Sequence, residues 1–236
     1  MSKHVSSTIE YYTRGQSQNP RWAVERQDRL TASNFYELLH ARDMEAYCRK
    51  LYERKDQNAL VNIPACKFGL ESELPAMRAY AAQFADDVGS YYQPGLCVSK
   101  QYPKLAATPD FIVFADPYAQ PKPPVSSYGA WLVEVKSFVD NPKADTIQQL
   151  AALRGRNFCC EFNANGEVAM RKEHKFYYQI IGQLNIVFGE DEFAFCDLVM
   201  YYKRTITTVR IYNDLDAWQH MRDRLLHATH VYAASK

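Results

Sequence analysis

The chain has 236 residues, 47% of them hydrophobic and 23% charged, with a formal net charge of +1. That length buries one substantial core, and that balance excludes an intrinsically disordered polymer. The apolar runs, the longest near Ala130–Val135, are too short to span a bilayer, and a net charge of +1 excludes a binder that works by bulk basicity alone.

Along the chain, Ser17-Gln-Asn-Pro20 reads as a turn before a helix from Arg21 to Asp28. Thr31-Ala-Ser33 precedes Phe35, Leu38 and Leu39, so a hydroxyl is expected to cap a second helix. A third helix fits Met44 to Arg54. A fourth runs from Gly69 to Asp86 on the spacing of Leu70, Leu74, Met77, Tyr80, Ala81 and Phe84, with Gly89 as its stop. The pattern then changes to strands at Leu96–Val98, Thr108–Phe114 and Ala130–Lys136, the last two separated by an exposed connection bearing Pro117, Pro121, Pro123 and Pro124. Between Asp140 and Glu173 the only clear signal is a turn at Asn163-Ala-Asn-Gly166. His174 to Val187 is expected to be a helix burying Tyr177, Ile180, Ile181 and Leu184. Two strands, Phe193–Tyr201 and Thr205–Tyr212, and an amphipathic helix from Trp218 to His227 complete the order. This order predicts an α/β (α+β) fold, with helices flanking a mixed central sheet. It divides into a helical part at 1–66, a core at 67–212 and a carboxy-terminal helix at 213–236.

The six cysteines, Cys48, Cys66, Cys97, Cys159, Cys160 and Cys196, form no CxxC pair and no zinc spacing with histidine. They read as buried or free thiols in a reducing compartment. The segment Met1-Ser-Lys-His-Val-Ser-Ser lacks the apolar stretch of a secretion signal. The expectation is an intracellular, non-secreted protein without a membrane partner, with nucleus and cytoplasm not distinguished.

One constellation carries chemistry. Glu134-Val135-Lys136 ends an apolar strand, and alternation projects Glu134 and Lys136 from the same face. Asp110, after Pro109, lies upstream across the proline-bearing gap. Two carboxylates suit a hard divalent cation such as Mg2+, with Mn2+ as substitute, and the Val135 carbonyl offers one more oxygen. Such an ion activates water and neutralises a phosphate, while Lys136 holds or deprotonates the water or stabilises the charged transition state. On these residues alone, Glu and Lys alternating on a strand more commonly mark a solvated face.

Five segments in order change that balance. They are Trp22-Ala-Val-Glu-Arg26-Gln-Asp-Arg29-Leu-Thr-Ala-Ser33, Gly69-Leu-Glu-Ser-Glu73-Leu-Pro-Ala76, Pro109-Asp110, Glu134-Val-Lys136 and Tyr177-Tyr178-Gln179-Ile-Ile-Gly-Gln183-Leu184. Together they resemble the PD-(D/E)xK nucleases, within them the lambda-exonuclease and YqaJ-type viral recombinase group that includes the herpesvirus alkaline nucleases. The resemblance implies a restriction-endonuclease-like core. It makes Asp110 and Glu134 metal ligands and Lys136 the catalytic lysine, and brings Glu73 to the metal directly or through water. Arg26 and Ser33 become a 5′-phosphate pair, assisted by Arg29. The fifth segment departs from the family's Gln-Val-Gln, with Ile181 at the second Gln position. Either Gln179 or Gln183 then touches lysine, water or phosphate, with Gln179 favoured for following the tyrosine pair. Tyr178 stacks or hydrogen-bonds there, or else packs in the core.

The implied activity is a metal-dependent exonuclease acting 5′ to 3′ on phosphorylated duplex ends in recombination or end processing, with a single-strand annealing recombinase as possible partner. Two rivals stand beside it: a structure-selective endonuclease acting on DNA and also RNA, and a non-catalytic nucleic-acid-binding module. Basic residues from Arg14 to Lys55 cluster in the first quarter, interspersed with acids, so some line a DNA groove and others form solvated faces. Tyr11, Tyr12 and Trp22 offer stacking faces, and Arg154-Gly-Arg156 is a further backbone contact.

Overall fold

The computed structural model describes residues 8–55, 64–119 and 128–234. The segment Met1–Ser7, the prolines from 121 to 124 and the side chains of Arg54, Lys55 and Cys66 lie outside the described residues. A short helix α1 (8–12) leads to α2 (Pro20–Gln27). Pro20 occupies its first turn, where no N–H is needed, and the Asn19 side chain accepts from the Arg21 N–H at 3.0 Å. After β1 (Leu30–Thr31), a single 3-10 turn at Ala32–Asn34 feeds α3 (Phe35–Leu39). The hydroxyl cap expected there is not made. The intervening 3-10 turn turns the Thr31 hydroxyl onto the Asn34 amide instead, at 2.9 Å.

Two longer helices follow, α4 (Met44–Lys55) and α5 (Pro64–Gln83), the second running through Pro75. Met77 and Tyr80 are buried as their spacing predicts, but Leu70 and Leu74 stay exposed on the first turns of α5. Gly89 does not stop this helix. It enters β2 (Ser90–Tyr92), and an added Cβ would stand 2.3 Å from the Ala115 carbonyl oxygen, so close backbone approach explains the glycine.

The remaining elements are β3 (Cys97–Val98), β4 (Leu105–Ala107), β5 (Phe111–Phe114), β6 (Ala130–Ser137), α6 (Ile147–Arg154), β7 (Cys160–Phe162), β8 (Val168–Met170), α7 (Lys175–Val187), β9 (Phe195–Tyr202), β10 (Thr205–Tyr212) and α8 (Leu215–Ala234). The main sheet has the order β10-β9-β6-β5-β2, with β6 parallel to β9 and its other pairs antiparallel. It is thus the mixed sheet expected. A smaller sheet, β1-β4-β3, and the β7-β8 hairpin around Asn163–Gly166 stand beside it.

Strand β6 is buried on both faces, which accounts for its continuous apolar run. Trp131, Val133 and Val135 face one cluster with Met77 and Tyr80 of α5. Ala130 and Leu132 face the larger cluster built by α3, α7 and α8. Pairing of Phe111 with Val133 makes Asp110 and Glu134 the next neighbours on the antiparallel ladder. Five described cysteines, Cys48, Cys97, Cys159, Cys160 and Cys196, are buried free thiols. Among the described residues no helix is long and apolar enough to cross a membrane.

Candidate active site

At the end of β6 the apolar face gives way to Glu134 and Lys136. Glu134 is 2% exposed, and a carboxylate so buried needs partners. Its Oε1 accepts from Lys136 Nζ and from Gln179 Nε2, each at 2.6 Å, and its Oε2 accepts from Gln183 Nε2 at 2.8 Å. Three of a carboxylate's roughly four lone-pair positions are thereby used and one remains. Gln179 and Gln183, one turn apart on α7, both act on Glu134, so the choice between them does not arise. The Gln183 Oε1 is buried without a partner.

Asp110, partly buried, accepts the Val135 N–H at 2.7 Å. Burial raises its carboxyl well above the ordinary range, and the negative charges of Glu134 and Glu73 raise it further. Glu73 reaches the same field from α5. Burial and then Glu134 push it up to about 7, and Gln93 Nε2 donates to its Oε2 at 3.3 Å. Burial would lower the Lys136 ammonium, but Glu134 and Asp110 outweigh that effect and hold it above its usual value. Lys136 is thus held in the charged form by the carboxylates around it.

Beside these groups lies a cavity of about 120 Å³, roomy enough for water. Asp110, Glu134, Gln179 and Gln183 line it together with Arg26 and Ser33. The Arg26 guanidinium stacks 4.2 Å from the centre of the Trp22 ring, and burial lowers its pKa to about 10, which leaves it charged. The structure does not bring Arg29 or Tyr178 to this cavity. Arg29 donates to the Glu25 carbonyl and carboxylate at 2.7 and 2.9 Å and to the Pro103 carbonyl at 3.2 Å. Tyr178 packs edge-on against Tyr36 and His40. Elsewhere in the basic first quarter, Arg14 pairs with the buried Glu10, and Arg49 pairs with Glu45 on the exposed face of α4.

Sequence reasoning missed Gln16 and Thr108, which also line the cavity. Gln16 Nε2 donates to the carbonyls of Pro94 and Pro109, at 3.1 and 3.2 Å, and so holds the backbone just before Asp110. Its φ of 47° follows Gly15 at 86°. The Gly-Gln turn was the available signal.

Among the described residues no three Asp, Glu, His or Cys side chains form a ready-made cation cage. The donors present still fit a hard divalent ion: carboxylates crowd until two of them resist ionisation, which a bound cation would relieve, and a buried amide oxygen lacks a donor.

Residues 1–102 match the family described as viral alkaline exonuclease. That span holds the first two of the five segments. No curated protein matches the chain. Among solved structures, the alkaline exonuclease LHK-Exo of Laribacter hongkongensis is similar with a TM-score of 0.61 at 17% identity, over 90% of this chain and 92% of that one. The shutoff and exonuclease protein of Kaposi's sarcoma associated herpesvirus gives 0.55 at 12% identity, over 99% and 72%. In a SOX–DNA complex the figures are 0.57 at 13%, over 99% and 71%. A phage-related exonuclease from Haemophilus somnus gives 0.50 at 12%, over 86% and 93%. The fold is therefore that of the alkaline exonucleases, as the five segments led one to expect.

Proposed function

We propose that this chain, with the viral alkaline exonuclease pattern over residues 1–102 and the alkaline-exonuclease fold throughout, is a metal-dependent nuclease that degrades duplex DNA from a 5′-phosphorylated end. The observation that carries this reading is the cavity in which Asp110 and Glu134 meet Arg26 and Ser33, with Lys136 bonded to Glu134. Acids alone would hold an ion. Acids sharing a small cavity with a guanidinium suit a phosphodiester.

In this reading Asp110, Glu134 and Glu73 hold Mg2+, or Mn2+ in its place, with the backbone at Val135 adjoining. When bound, the ion supplies an activated water and neutralises charge on the scissile phosphate. Gln179 and Gln183 fix the Glu134 carboxylate so that its remaining lone pair faces the cavity. Lys136 offsets the charge that grows on the phosphate oxygens. Arg26 and Ser33 receive the terminal 5′-phosphate and set the distance from the end to the cut bond. Residues 67–212 supply the catalytic core, 1–66 the DNA-binding part and 213–236 the closing helix. The DNA-bound SOX structure, alike in fold, supports DNA as the substrate. A 3′ single-stranded tail is the product, and a strand-annealing recombinase is the partner such a tail suits.

Linear duplex with 5′-phosphates and the same DNA as a covalently closed circle separate the readings. In magnesium the linear form should be consumed and the circle spared, and chelator should stop the loss of the linear form. Equal cutting of the circle would instead support a structure-selective endonuclease.

A further inference from the structure

A second groove, of about 600 Å³, lies further along α7 and α3. Arg156, Arg171, His174, Lys175 and Tyr36 line it, with Glu173 the acid among them. The groove continues the active site along two elements. On α7, Gln179 faces the small cavity and Lys175, one turn earlier, faces the groove. Around α3, Ser33 faces the cavity and Tyr36 the groove. The Phe176 ring bridges them, its centre 4.5 Å from Lys136 Nζ and 5.7 Å from Lys175 Nζ.

The groove carries more cations than acids, and two of the cations stand unpaired. Among the described residues neither Arg156 nor Lys175 has an ion-pair partner. Arg171 meets Glu161 at 3.1 Å, yet its Nε is buried with no acceptor. His174 stays neutral, lowered to about 4 by burial and by Lys175, Lys136 and Arg171, and its Nδ1 accepts the Phe176 N–H at 3.2 Å. Like charges gathered in this way repel, and a cluster built only for stability would pair them. At the rim, the Tyr36 ring stacks on His40 with centres 4.2 Å apart, and Tyr178 makes T-shaped contacts with both rings, at 5.1 and 5.3 Å, which fixes the plane of Tyr36.

Resting on the nuclease reading, we propose that this groove binds an unpaired tract of the DNA, its phosphates against Arg156 and Lys175 and one base against Tyr36. An aromatic plate beside cationic side chains suits a single strand, whose bases present free faces, whereas a duplex hides its faces in the stack. The substrate class is then duplex with a single-stranded tail or frayed end, and the groove sets that preference.

The test uses the full chain in chelator, so that nothing is cut. Fluorescence anisotropy would follow 5′-phosphorylated DNA as single strand, blunt duplex and tailed duplex, over a range of salt. Relative to wild type, Arg156→Ala with Lys175→Ala should make the salt dependence of single-strand binding shallower by about 1.4 in log–log slope, from two lost contacts. Tyr36→Ala should weaken binding of tailed duplex by about 5-fold or more and leave blunt duplex unchanged, with Tyr36→Phe restoring affinity. Turnover of bis(p-nitrophenyl) phosphate in magnesium, a diester with no strand to bind, should be unchanged in all three variants. Equal losses on blunt and tailed duplex, or no loss on either, would overturn the single-strand assignment. Wild type that cuts no DNA in magnesium or manganese sinks the nuclease reading instead, while the chelated titrations still decide the groove.

Discussion

Arg26 is where a single side chain makes the sharpest demand on the site. Its guanidinium lines the small cavity and stacks on Trp22, where its N–H groups can meet a bound anion. A hydrogen bond to a charged group contributes about 1.5–3 kcal/mol, so Arg26→Ala should lower kcat/KM on 5′-phosphorylated ends by about 10- to 150-fold. Dephosphorylated ends should be almost unaffected, and an equal loss on both would remove Arg26 from phosphate recognition. At this scale the sequence was most informative. Strand alternation put Glu134 and Lys136 on one face, but the roles of Asp110, Glu134 and Lys136 came from the resemblance, since the pattern alone more commonly marks a solvated face. Arg26 and Ser33 came from resemblance alone, as nothing local shows that a helical arginine lines a cavity. Arg29, in the same segment, turned out to serve Glu25 and the Pro103 carbonyl. Gln16 stayed hidden because its work is to hold two carbonyls some eighty and ninety residues away.

Among the elements, the contact of α3 with α7 aligns the two sides of the cavity. It depends on Gly182, where an added Cβ would stand 2.6 Å from Phe35 ring carbons that are fully buried and cannot yield. Gly182→Ala should therefore cost about 1–3 kcal/mol, which at this chain length lowers Tm by roughly 2–12 °C. It should also move Ser33 away from Gln179 and Gln183, reducing the advantage of 5′-phosphorylated ends. A melting curve unchanged within 1–2 °C would contradict this packing account. Long, strongly patterned elements such as α7, β6 and β10 were readable because many residues report the same period. The short strands β2 and β4 were not, since three residues cannot establish an alternation. Helix α6 was overlooked although Thr146 and Gln149 form a reciprocal capping box, a signal present in the sequence as Thr-x-x-Gln. The exposure of Leu70 and Leu74 was hidden from periodicity, which gives a helix's apolar face but not where its packing partner ends.

For the whole molecule, Asp214 joins α7 to the start of α8 by accepting from Lys172 at 2.8 Å, Tyr177 at 2.6 Å and the Ala217 N–H at 2.9 Å. Those bonds depress its carboxyl from 3.8 to about 2. Its stabilisation is thus present above the unfolded value and lost as pH falls from about 4 toward 2. Urea titrations should show Asp214→Asn less stable than wild type at pH 7 and nearly equal to it at pH 2, and a constant difference would count against the linkage. The order of elements was enough to predict helices around a mixed sheet, but the parallel pairing of β6 with β9 brings together segments some sixty residues apart that no local pattern connects. That pairing puts the Glu134 strand at the centre of the sheet, and the whole account depends on what gathers there. The most direct measurement is cleavage of end-labelled, 5′-phosphorylated duplex in magnesium by wild type, Glu134→Ala and Lys136→Ala, each first shown to be folded by circular dichroism. The account predicts rapid loss of duplex with wild type, none with Glu134→Ala, and a rate about 10²- to 10³-fold lower with Lys136→Ala. Wild-type rates from both folded variants would contradict it.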